Sequence, residues 1–165
     1  MTDFSDVKVD DEHIGLLRKF LTEDPDEPWD HNESTARNEI IAHNLMAYSA
    51  FAVAVLRRFS PTYTVSEIIQ YVTDLRKAVV EEDSLQINPR VAEGMIREVL
   101  QDKSFTDTAP FGADNEAVVK ANFVILLDLF HKAELDGPGL ERFLQDSADY
   151  ARRCLAVQQA RPTAS

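Results

Sequence analysis

Apolar residues recur at spacings of three and four along most of this chain, and nowhere do they alternate over a stretch long enough to predict a strand. Ile14, Leu17, Phe20 and Leu21 predict a short amphipathic helix over residues 11–22. A longer helix is predicted over residues 34–59, capped by Ser34 and carrying Ile40, Ile41, Leu45, Tyr48, Phe51, Ala52, Val55, Leu56 and Phe59 at helical period. In its second half Met46, Ala47, Ala50, Val53 and Ala54 fill the other sides, and a helix apolar all round has to be buried all round. It is the expected centre of a bundle or of a dimer interface.

Thr64-Val65-Ser66-Glu67 has the form of a capping box and opens a third helix striped by Val65, Ile68, Ile69, Val72, Leu75 and Val79. Asn88-Pro89 offers an N-cap followed by proline where its missing N–H costs nothing, ahead of Ala92, Met95, Ile96, Val99 and Leu100. Asp114 is the expected cap of a fifth helix bearing Val118, Val119, Phe123, Leu126, Leu127 and Phe130. After the break at Asp136-Gly137-Pro138-Gly139, a sixth carries Leu140, Phe143, Leu144, Ser147, Ala148, Ala151, Cys154 and Leu155. The pattern therefore predicts an all-α, single-domain bundle of about six helices over residues 11–157. An acidic arm (1–10) precedes it and a flexible tail (158–165) follows.

Composition narrows the class. In 165 residues the hydrophobic fraction is 44% and the charged fraction 28%, a balance that supports a core without staples. Cys154 is the one cysteine, so no internal disulfide can form, and a reducing, cytoplasmic setting is expected. The acidic start lacks the basic and apolar stretches of a secretion signal. The apolar run over residues 45–56 falls short of the roughly 20 residues a bilayer demands. A net charge of −12 argues against a direct grip on DNA phosphates and favours a basic protein partner. Eleven of the acids, against only Lys8, Arg18 and Lys19, fall in residues 1–33. Within that stretch the connector holding Asp26, Glu27, Trp29 and Asp30 is the expected partner-binding segment, its tryptophan either stapled to the bundle or anchoring the partner.

Candidate chemistry is sparse. The string Arg37-Asn38-Glu39-Ile40-Ile41-Ala42-His43 resembles the motif of the HEPN family, small all-helical proteins of which many are metal-independent ribonucleases with arginine and histidine meeting at a dimer interface. The resemblance covers those seven residues. It implies that Arg37 would stabilise phosphate charge, that His43 would serve as acid or base, and that Asn38 would orient them.

Glu39 and His43 stand four apart and could share a metal. Glu-x-x-His, which di-iron bundles repeat on two helices, is absent, and Asp24, Asp26 and Asp30 lack the glycine of a calcium loop. No metal or cofactor is therefore expected. Cys154 reads as a small hydrophobe on an apolar stripe. Tyr48, Tyr71 and Phe123 are candidate lining for a ligand pocket between helices. Three functions follow: first an interaction or regulatory module acting through protein association, second a ribonuclease using Arg37 and His43, and, unranked beside them, a small-molecule sensor.

Overall fold

A computed structural model of the chain describes residues 7–22, 37–59, 62–81, 86–100 and 115–160. Among them lie six α-helices and no strand: α1 (Asp11–Thr22), α2 (Arg37–Phe59), α3 (Val65–Ala78), α4 (Pro89–Val99), α5 (Asn115–Ala133) and α6 (Gly137–Ala160). The all-α architecture is the one that the periodicity predicts. No described helix is long and apolar enough to cross a membrane. The chain divides into two units, Met1–Val53 with Leu135–Ser165, and Ala54–Glu134, so the division falls inside α2.

In the first unit α1 packs on α6. Its stripe of Ile14, Leu17 and Leu21 is buried, each side chain of this kind stabilising the fold by roughly 1.5–3 kcal/mol. On the exposed side the Arg18 guanidinium donates to both oxygens of Glu141 at 2.7 Å, a paired contact in solvent that adds up to about 1 kcal/mol. Ahead of α1, Val7 and Val9 are buried while Lys8 and Asp10 are exposed. The Val9 carbonyl accepts from Arg152 Nε of α6 at 3.3 Å. These two buried valines belong to the stretch expected as an acidic arm, and the Val9 carbonyl ties it to α6.

α6 starts at Gly137, three residues before the first residue of its predicted stripe. Asp136 caps it, accepting from the Gly139 N–H at 2.6 Å, while the Leu140 N–H reaches the Asp136 carbonyl at 2.8 Å. The proline and glycines of that break therefore sit in the first turn, where the backbone N–H groups have no helical partner to lose. At the other end α6 runs on through Gln158 and Gln159 to Ala160.

In the second unit α3 packs on α4 and α4 on α5. Two caps read from sequence, Thr64 and Asn88, fall among the described residues of this unit and are present. Thr64 accepts from the Glu67 N–H at 3.1 Å, and Asn88 Oδ1 accepts from the N–H groups of Arg90 and Val91, with Pro89 in the first turn. The core of α3 is Ile68, Tyr71, Val72 and Leu75, whereas Val65 and Ile69 are 40% and 45% exposed. In α5 the buried positions are Ala121, Asn122, Val124, Ile125, Leu126 and Leu129. Val119, placed on the predicted stripe, is exposed.

From Met46 to Val55 every side chain of α2 except Tyr48 is buried, as the all-round apolar pattern predicts. Ser34 and Asp114 lie outside the described residues.

Candidate functional site

The start of α1 is built around Asp10. Its Oδ1 accepts from the Glu12 N–H at 3.1 Å and its carbonyl accepts from the His13 N–H at 3.1 Å, so Asp10 is the N-cap. His13 stands at the third helical position, where a capping box normally places Glu or Gln to accept from the cap's own N–H. Here the imidazole fills that role, Nδ1 lying 3.1 Å from the Asp10 backbone nitrogen. The Asp10 carboxylate approaches the same ring nitrogen, 3.0 Å away.

His13 is only 2% exposed, and its other nitrogen points at α2. Nε2 lies 3.0 Å from Oε2 of Glu39. One turn further along α2 is His43, whose Nε2 is 3.8 Å from the same oxygen. The spacing explains this meeting, because residues four apart on a helix stand on one face. The two imidazoles pack edge to face with centroids 5.4 Å apart. One ligand-capable atom from each of His13, Glu39 and His43 lies within 4.8 Å of the others. Burial grades across the group, since His43 is 13% and Glu39 45% exposed, so solvent reaches it from the Glu39 side.

Chemically this is two imidazole nitrogens and one carboxylate on two elements, a set able to share protons or to coordinate a cation. The sequence reading paired Glu39 with His43 and missed His13. A signal was present: His13 lies one residue before Ile14 and four before Leu17, on the stripe that α1 buries.

The other candidate residues are distributed as follows. Arg37 and Asn38 fall in the first turn of α2, at positions whose side chains are not described, while His43 belongs to the cluster. Asp26, Glu27, Trp29 and Asp30 lie outside the described residues. Tyr48, in the first unit, is half-buried against the Phe51 ring at 6.1 Å.

Tyr71 belongs to the core of the second unit. Its hydroxyl donates to Asp128 Oδ2 at 2.7 Å, its ring meets Phe59 edge-on at 5.7 Å, and Lys132 Nζ sits 3.0 Å from that same carboxylate oxygen. Burial first and the Asp128 carboxylate second push the Tyr71 phenol well above its ordinary range. Phe123, on α5, is half-buried. Cys154 is half-buried on α6. Burial raises its thiol pKa, with the Arg153 guanidinium pulling the other way.

The chain matches no protein-family model, no curated protein and no solved structure. Fold and site together define an all-α protein with a histidine–carboxylate junction between its first two helices.

Proposed function

We propose that this chain is a helical regulatory module that works by binding, and that the junction of Asp10, His13, Glu39 and His43 is where it senses a small polar ligand. One observation carries the reading. A histidine withdrawn almost entirely from solvent spends both ring nitrogens on polar groups of two different elements, where a leucine would pack with no polar group to satisfy. Such an arrangement couples the seating of α1 to whatever occupies the cluster. The net charge of −12 supports a basic protein as the downstream partner, steered by the acidic surface.

A second reading is favoured by the place of His43. The histidine of the HEPN-like string stands among titratable neighbours, as an acid or base would need, six residues after Arg37.

Both readings are tested on wild type beside His43→Gln. In thermal melts against divalent ions, nucleotides and small carboxylates, the binding reading expects one class to raise the wild-type midpoint and leave the variant unmoved. A ligand at about 100 times its Kd adds roughly 2.7 kcal/mol. If no class separates the two proteins, the junction is a structural contact only. Cleavage of labelled single-stranded RNA in chelator by wild type, lost in both His43→Gln and Arg37→Ala, would replace the binding reading with the ribonuclease one.

A further inference from the structure

We propose that His13, Glu39 and His43 bind one divalent transition-metal ion of the zinc class, with Asp10 as the positioning residue that sets His13 for ligation. The inference rests on the binding reading above and names its ligand.

The donor set decides the class of cation. Two imidazole nitrogens with one carboxylate suit zinc, cobalt, nickel or ferrous ions, whereas calcium and magnesium take oxygen ligands almost throughout. Distances agree with that choice. Ligand atoms about 2.0–2.1 Å from a tetrahedral zinc stand about 3.3 Å from one another. The separations of 3.0 Å from His13 Nε2 and 3.8 Å from His43 Nε2 to Glu39 Oε2 bracket that value, and all three ligand atoms lie within 4.8 Å of one another, so a cation requires the two imidazoles to draw together around it. Glu39 and His43 are preset by one turn of α2, and His13 is held by the cap of α1.

The outer shell is the more telling part. A metal-ligating imidazole ordinarily donates its second N–H to a carboxylate or carbonyl, which fixes its tautomer and raises its basicity. His13 Nδ1 has two neighbours, both from Asp10: the backbone N–H at 3.1 Å and the carboxylate Oδ1 at 3.0 Å. In the neutral ring one nitrogen carries the hydrogen and the other accepts. With the hydrogen on Nε2, Nδ1 completes the capping box and Nε2–H donates to Glu39. With the hydrogen on Nδ1, it goes to the Asp10 carboxylate, and Nε2 presents its lone pair toward Glu39 and His43. Asp10 thus serves both tautomers, and a metal selects the second. No net proton is gained or lost at His13 in that exchange. His13 joins the Glu39 and His43 pair from another element, outside both the Glu-x-x-His and the calcium-loop patterns.

Isothermal titration of the full chain with zinc tests this, on wild type, His43→Gln and Asp10→Asn, each checked for helical content by circular dichroism. Asparagine keeps the cap on α1 while weakening the acceptor for Nδ1–H. Wild type should bind one zinc per chain. Asp10→Asn should bind roughly 10-fold to 100-fold more weakly, and His43→Gln more weakly still. Imidazole 15N shifts of wild-type His13 should move from the Nε2–H to the Nδ1–H pattern as zinc is added. If wild type takes up no zinc while another ligand class still raises its melting midpoint, the metal inference fails and the binding reading stands. If nothing binds, both fail. Equal affinity in Asp10→Asn, with unchanged 15N shifts, would remove Asp10 from its positioning role.

Discussion

Tyr71 and His13 illustrate two uses of a polar group in a helical core. The Tyr71 hydroxyl is bonded to a carboxylate that Lys132 also holds, so removing it leaves Asp128 with a partner and with 18% exposure. Tyr71→Phe should cost about 1.5 kcal/mol at neutral pH, the low end for a hydrogen bond to a charged group. Above pH 10 that advantage shrinks. The phenol ionises near its ordinary value in the unfolded chain but stays protonated in the folded one. The unfolded state then binds fewer protons, and stability falls as pH rises, by at most about 1.4 kcal/mol per unit from this one group. Urea unfolding between pH 9 and 11 should give a steeper loss for wild type than for Tyr71→Phe. Parallel slopes would mean that the folded phenol titrates normally. His13 differs in that both its nitrogens face groups on different elements, which is why it and not Tyr71 is the candidate for sensing.

Among the elements, α2 carries the heaviest packing demand. Ala50 is fully buried between Met46 and Ala54, and a leucine there adds three carbons to a filled space. Ala50→Leu should destabilise by about 1–3 kcal/mol, read as a lower urea midpoint at unchanged slope. An unmoved midpoint would mean that α2 has room beside it.

The helices themselves were legible because their punctuation is local. Thr64 with Glu67, and Asn88 with Pro89, are capping chemistry that works wherever the helix ends up. The face was legible where one side of the helix is polar. In α6 the residues from Phe143 to Ala151 on the predicted stripe are all buried. It was not legible in α5, where Phe123, Val124, Ile125, Leu126 and Leu127 follow one another and several rotations bury equal apolar area. Ile69 of α3 failed for a related reason. Tyr71, two residues on, claims the core because its hydroxyl finds Asp128, a partner 57 positions away that no local pattern discloses.

At the scale of the whole chain, the site follows the same division between local and distant information. Glu39 and His43 are one helical turn apart and were readable as a pair. Their third member stands 26 positions before Glu39 on another element, and only the fold brings it within 3.0 Å. Charge offers no guide to it, since the chain is acidic along most of its first 33 residues. The central claim is that this junction of α1 and α2 receives the ligand. Anomalous diffraction at the zinc edge, from crystals of the full chain grown with equimolar zinc, tests it most directly. The account predicts one dominant peak about 2.0–2.2 Å from His13 Nε2, His43 Nε2 and a Glu39 carboxylate oxygen. A dominant peak elsewhere, or none within bonding reach of His13, would contradict it.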